Sequence, residues 1–115
     1  CIFSKDDLTI NGNGTLNVVG NYNNGIASKD DLKITAGTVN VTAVNNGLKG
    51  KDSITIKGGE ITVNSTGDGV KSDNTEDTTK GYIIIEGGSL NITSGGDGIQ
   101  AETTLTISDG DINIV

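Results

Sequence analysis

The sequence lacks several residue types on which common protein chemistries depend. Its 115 residues include no histidine, proline, tryptophan or methionine, and all eight basic residues are lysine. Histidine catalysis and histidine-ligated metals are therefore excluded. The single cysteine, Cys1, has no partner for a disulfide within the chain, and we expect it to be a small residue at a turn. Only three aromatic residues, Phe3, Tyr22 and Tyr82, are available to stack on sugar rings.

Positive charge and long apolar runs are also scarce. The formal net charge is −7, which argues against nucleic acid as a partner because an acidic surface repels phosphate backbones. No apolar run approaches the roughly 20 residues of a membrane-spanning helix, so we expect no membrane insertion. The sequence shows no signal peptide, and we expect any export signal to lie outside this chain.

A repeat dominates what is present. The segment Ser4-Lys5-Asp6-Asp7-Leu8 recurs letter for letter at 28–32, and looser versions appear three more times. The repeats begin at Ile2, Ile26, Leu48, Val70 and Ile99. A period of about 20 to 30 residues is typical of a solenoid, in which each unit buries its apolar face against its neighbours.

Each repeat contains three short runs in which apolar and polar residues alternate, as in strands with one buried face. Three short strands per turn predict an all-β parallel β-helix of five coils. We expect one domain over 1–115, with an insertion at 73–81 in the fourth coil. Glycines before the first and third strands predict either positive φ or no room for a Cβ. They are Gly25, Gly47, Gly69 and Gly98 in the first set, and Gly37, Gly59, Gly88 and Gly110 in the second.

Acidic residues share positions in successive coils, where stacked carboxylates about 5 Å apart repel by roughly 3 kcal/mol at an effective dielectric of 20. In the first three coils a lysine precedes each shared aspartate, and alternating charge would compensate. In the last two coils acids replace that lysine, and only Lys71 is nearby. The acids there are Asp68, Asp73, Asp97 and Glu102. Oxygen ligands without His or thiolate suit Ca²⁺, so we predict calcium at these positions. The alternative is that the acids only solvate a surface edge.

The strings SKDDLTI, NNGLKGKDSITIKGGEITV and GDGVKSDNTED resemble the extracellular carbohydrate-binding domain-containing proteins of anaerobic and cellulose-degrading bacteria. That family is pectate-lyase-like, and the resemblance implies a right-handed β-helix, Ca²⁺ binding, association with plant-type or acidic polysaccharide, and an extracellular or cell-surface location. The resemblance implies that Asp68, Asp73 and Asp97 are calcium ligands. It implies the same, with weaker support, for Asp30, Asp31, Asp52 and Glu102. The chain resembles the middle of longer members, so we expect an excerpt without evident caps.

Three functions remain open from the sequence. The first is a non-enzymatic, calcium-binding module for cellulose or acidic polysaccharide, with Lys49, Lys71 and Tyr82 as candidate sugar contacts. The second is a filament, because strands at both ends of the stack could pair with further copies of the chain. The third is a Ca²⁺-dependent polysaccharide lyase. Lys71 is its only candidate base, and the neighbouring acids stabilise the ammonium, which is the wrong direction for a base.

Overall fold

The fold was derived from a computed structural model that describes residues 2–20, 24–77 and 79–115, so Cys1 and Tyr22 lie outside the described residues. The described residues form fifteen strands in three parallel sheets of five, with no helix that could cross a membrane. The first sheet contains β1 (Ile2–Ser4), β4 (Ile26–Ser28), β7 (Leu48–Gly50), β10 (Val70–Ser72) and β13 (Ile99–Ala101). The second contains β2 (Leu8–Ile10), β5 (Asp31–Ile34), β8 (Ser53–Ile56), β11 (Tyr82–Ile85) and β14 (Thr104–Ile107). The third contains β3 (Thr15–Gly20), β6 (Thr38–Ala43), β9 (Glu60–Ser65), β12 (Ser89–Ser94) and β15 (Asp111–Ile114).

Each coil contributes one strand to each sheet, which confirms the β-solenoid and its three strands per coil. Equivalent residues pair across the coils: Ile2 with Ile26, Ile26 with Leu48, and Val70 with both Leu48 and Ile99. The five predicted coil starts therefore lie in one column. Neighbouring residues in such a column are about 4.8 Å apart, so any residue type that recurs in the sequence becomes a ladder on the surface or in the core.

The core is a set of aliphatic ladders that run through the middle coils. Ile54, for example, has no exposed surface and lies between Leu32 and Ile83 in the second sheet. In the fifth coil, which is the last of the described stack, Leu105 and Ile107 are 44% and 49% exposed. Burial is therefore shared between neighbouring coils, as the repeat predicts.

The two glycine sets differ in backbone conformation. Before the third strand, Gly59 has φ of +95°, where a side chain would strain the backbone, and Gly37, Gly88 and Gly110 also have positive φ. Before the first strand the φ angles are ordinary, and close approach alone excludes a side chain: a Cβ on Gly69 would collide with Cγ2 of Ile92. Close approach also acts in the set with positive φ, since a Cβ on Gly59 would collide with the Gly37 carbonyl oxygen. Both alternatives in the prediction therefore occur.

The insertion in the fourth coil follows β10 and ends where β11 begins. Residues 73–81 connect these strands, whereas the third coil makes the same connection with Lys51 and Asp52 alone. The extra residues therefore belong to the corner between the first and second sheets. Four of the predicted site residues lie at this corner: Asp30, Asp52, Asp73 and Glu102.

Candidate functional site

One column of side chains points outward from the first sheet. Strand pairing aligns Phe3 with Ala27, Ala27 with Lys49, Lys49 with Lys71, and Lys71 with Gln100. The inward neighbours in the same strands are the core residues, so alternation along a strand places these five on the opposite face. The predicted stacking of Lys49 on Lys71 is confirmed.

A second column follows at the corner, directly after the strands of the first sheet. The Lys29 N–H donates to the Ser4 carbonyl, and the Lys51 N–H donates to the Ser28 carbonyl, at 3.0 and 3.1 Å. These bonds place Lys5, Lys29 and Lys51 one above another. In the fourth and fifth coils, Asp73 and Glu102 occupy the same position. From the sequence alone, these three lysines are expected only to balance the charge of the aspartates that follow them.

The two columns border a groove of about 450 Å³. Its floor is apolar and uneven, because the Ala27 side chain is short and buried while the Phe3 ring beside it is 58% exposed. Four lysines surround this floor, with Asp30 as the single acid. The lining residues are Phe3, Lys5, Asn24, Ala27, Ser28, Lys29, Asp30, Lys49 and Lys51. The groove is therefore a cationic site with an apolar floor on an acidic protein.

Acids of the fourth coil pair with the two stacked lysines of the first column. Lys49 Nζ lies 3.4 Å from Asp73 Oδ2, and Lys71 Nζ lies 3.9 Å from Asp68 Oδ2. All four side chains are partly buried, between 16% and 31% exposed. Within the described residues, by contrast, no ion pair involves Lys5, Lys29 or Lys51. Three of the four groove lysines therefore keep their charge available to a ligand.

Asp68 and Asp97 belong to a ladder that joins the third, fourth and fifth coils. Asn46 Oδ1 accepts a hydrogen bond from the Asp68 N–H at 3.1 Å, and Asp68 Oδ1 accepts one from the Asp97 N–H at 2.7 Å. The Asp68 carboxylate thus satisfies a backbone donor, which is a structural use of an acidic side chain. The Asp97 side chain is exposed, and it is the backbone N–H of Asp97 that contacts the Asp68 carboxylate.

Asp52 holds the insertion in place. Its Oδ1 accepts a 2.7 Å hydrogen bond from Asn74 Nδ2, and its Oδ2 lies 3.3 Å from Lys80 Nζ. Its backbone carbonyl accepts a further hydrogen bond from the Gly81 N–H at 2.6 Å. Asn74 Oδ1 in turn accepts from the backbone N–H groups of Glu76 and Asp77. Asp52 and Asn74 are both buried, so this network is a structural clasp between the third and fourth coils.

The aspartates of the first three coils lie close enough to affect one another. Burial raises the pKa of Asp30, and repulsion from Asp52, Asp7 and Asp6 raises it further, while Lys80 lowers it. Lys80, from the insertion, is therefore the cation near this column of aspartates. The sequence instead predicts that the lysine before each aspartate balances its charge. The hydrogen bond to Asp52 is the main cause that raises the pKa of Lys80.

The remaining predicted residues are dispersed. Asp31 Oδ1 accepts a 2.6 Å hydrogen bond from Ser53 Oγ, and Glu102 is exposed at the corner of the fifth coil. Tyr82 begins β11 on the second sheet, where it aligns with Ser53 and Thr104, so it does not share a sheet face with Lys49 and Lys71.

The predicted calcium ligands do not form a preassembled cage. Among residues 2–20, 24–77 and 79–115, no three acidic side chains are grouped so that they could hold a metal ion. Asp68 faces Lys71, Asp73 faces Lys49, and Asp52 faces Asn74 and Lys80. As arranged, these acids do not fit an ion that takes six to eight oxygens. Calcium binding stays a prediction.

Comparison with known proteins gives the class of the molecule. A family model described as "Carbohydrate-binding domain-containing protein" matches residues 1–115. The chain therefore belongs to the carbohydrate-binding domain-containing family, which confirms the resemblance. A family member from Acetivibrio thermocellus is 71% identical over 82 residues, which are 71% of this chain and 29% of that protein.

A solved structure shares the fold. The polysaccharide lyase-like protein from C. thermocellum, solved as a gadolinium derivative, superposes with a TM-score of 0.86 at 41% sequence identity. The match covers 96% of this chain and 55% of that chain. The present chain thus spans 29% and 55% of these two relatives.

Proposed function

We propose that this chain is a non-catalytic, extracellular module that binds an acidic polysaccharide in the lysine-lined groove of the first sheet. The observation that carries the proposal is the groove itself. Lys5, Lys29, Lys49 and Lys51 surround an apolar floor, in a chain whose net charge is −7. The family description supports carbohydrate as the ligand class.

The groove combines the two kinds of contact that an acidic sugar offers. Carboxylates along the glycan would pair with the lysine ammonium groups, and the less polar ring face would lie against Phe3 and Ala27. Each exposed ion pair contributes only about 0.2 to 1 kcal/mol. Affinity must therefore come from several lysines that contact one chain at once, and we expect it to fall with added salt.

The described groove favours binding over bond cleavage. Without His or Arg, a lyase would need a neutral lysine as its base. Lys49 and Lys71 each form an ion pair with a carboxylate, and an ammonium group has no free lone pair with which to accept a proton. Asp30 is the single acid that lines the groove, so the groove lacks the pair of carboxylates across a cleft that glycoside hydrolysis requires. The filament alternative rests on exposed strand ends and stays a prediction.

The test measures retention by polysaccharide. Wild-type protein should migrate more slowly in native gels that contain polygalacturonate, and unchanged in gels that contain a neutral soluble glucan. The double variant Lys29→Gln/Lys51→Gln should lose about two- to thirtyfold in affinity, because two pairs of about 0.2 to 1 kcal/mol each are removed.

A matched control has the same net charge as that double variant. Lys33→Gln/Lys57→Gln also removes two lysines, but Lys33 lies on the second sheet and Lys57 on the loop after β8, outside the groove. Equal loss of affinity in the two double variants would refute the groove as the binding site. Ultraviolet absorbance from an unsaturated product, lost in Lys71→Ala, would instead establish lyase activity.

A further inference from the structure

The Lys49–Asp73 pair connects the groove to the insertion. Lys49 lines the groove, and Asp73 is the first residue after β10, where the insertion begins. Their charged atoms are 3.4 Å apart, and the two side chains are 31% and 28% exposed. Among the described residues, Lys49 is the one side-chain partner that the structure gives the Asp73 carboxylate.

Asp73 also interrupts the corner column. The same position holds Lys5, Lys29 and Lys51 in the first three coils, so the column changes from cationic to anionic at the fourth. A carboxylate at this position, directed at Lys49, has the chemistry and the placement that a carboxylate of a bound glycan would have. It therefore competes with that ligand.

We propose that Asp73 is an internal competitor for Lys49, and that it limits the affinity of the groove for carboxylated glycans and marks where the site ends along the stack. This inference rests on the proposed function. Binding in the third coil would exchange the Asp73 carboxylate for one from the ligand. The Asp68–Lys71 pair is different, because Asp68 also bonds the Asp97 N–H and cannot turn away without leaving that donor unpaired.

The first variant removes the competing charge. Asp73→Asn should bind polygalacturonate about 1.4- to fivefold more tightly than wild type, since an ion pair of about 0.2 to 1 kcal/mol no longer has to be broken. Asp73→Ser should behave alike, because it also lacks the carboxylate. The control is Glu86→Gln, which removes one negative charge after β11, at the corner between the second and third sheets. It should leave affinity nearly unchanged.

A second background separates competition from general repulsion. Lys49→Gln removes the cation for which Asp73 competes. Adding Asp73→Asn to this variant should therefore change the affinity for polygalacturonate no more than Glu86→Gln does. An equal gain in both backgrounds would show that Asp73 acts through long-range charge, and would overturn the inference. Weaker or unchanged binding by Asp73→Asn would overturn it too.

The same measurements distinguish this inference from the proposed function. If wild type and Asp73→Asn both fail to bind polygalacturonate and also dextran sulfate, the proposed function and the inference both fail. Only the inference fails if wild type binds polygalacturonate, Lys29→Gln/Lys51→Gln binds it more weakly, and Asp73→Asn does not bind it more tightly. If dextran sulfate binds in place of polygalacturonate and Asp73→Asn tightens it, the competitor stands and the ligand anion is sulfate.

Discussion

Replacing Asp52 with alanine should loosen the insertion and destabilise the chain. The carboxylate accepts the buried Asn74 amide at 2.7 Å and faces Lys80 at 3.3 Å. Without it, the Asn74 amide is buried and unpaired, which costs about 1 to 3 kcal/mol. For a chain of 115 residues, 1 kcal/mol corresponds to about 4 °C in Tm, so a fully cooperative loss would lower Tm by about 4 to 12 °C.

Two further variants test the cause of that loss. Asp52→Asn keeps an oxygen that can accept from Asn74, and it also relieves repulsion on Asp30, so its Tm should stay close to that of wild type. Asp52→Ala/Asn74→Ala should lose less stability than the sum of the two single variants, because the bond between the two side chains is then lost only once.

The assay follows both global and local stability. Thermal unfolding by circular dichroism gives Tm, and hydrogen exchange follows the amides of Glu76, Asp77 and Gly81, which bond to Asn74 or Asp52. If the insertion opens alone, exchange at these amides rises while Tm holds. Wild-type Tm together with wild-type exchange in Asp52→Ala would refute the clasp.

The remaining predictions concern charge. Asp30 has a raised pKa in the folded state, so the folded chain binds more protons than the unfolded chain between the ordinary pKa and the raised one, and stability falls as pH rises through that window. Asp30→Asn should therefore raise Tm at pH 7 and lose this advantage below about pH 4. A gain that persists at low pH would contradict this. For calcium, the sequence predicts a Tm that rises in millimolar Ca²⁺, falls in chelator, and no longer shifts in Asp68→Asn/Asp97→Asn. The acids of the described residues form no cage and instead favour equal midpoints in Ca²⁺ and chelator, a result that would refute the calcium prediction.

The fold could be predicted because the same apolar residues show two patterns: they alternate with polar residues along each strand, and they recur from coil to coil. A period of two fixes which side chains enter the core, and the recurrence of Ile26, Leu48 and Val70 fixes which coils pair. Both signals depend on residue type alone. Columns on the outer surface follow from the same register, which is why the stacking of Lys49 on Lys71 was also predictable.

The site was less predictable, because a column gives position but not the direction of a side chain. Asp68 and Asp97 share a column, yet the Asp68 carboxylate bonds a backbone N–H of the next coil. Lys80 lies in an insertion with no equivalent in the other coils, so no repeat could place it beside Asp52. The groove was missed because its lysines come from two adjacent columns. The sequence did contain a signal for the groove. Lys5, Lys29 and Lys51 come directly after strands of the first sheet, and Lys49 is an outward residue of one of these strands.

The distribution of charge explains why the groove should be the place where a polyanion binds. Four lysines and Asp30 give the groove a charge of +3, although the chain as a whole carries −7. The residues outside the groove therefore carry a net charge of −10, and they repel a carboxylated chain within the screening length of about 8 Å at physiological salt. Removing Lys29 and Lys51 leaves +1 beside Asp73 and Asp68, which already neutralise Lys49 and Lys71. Two substitutions on one corner column thus remove most of the attraction, whereas the same loss of charge on another face leaves the groove intact.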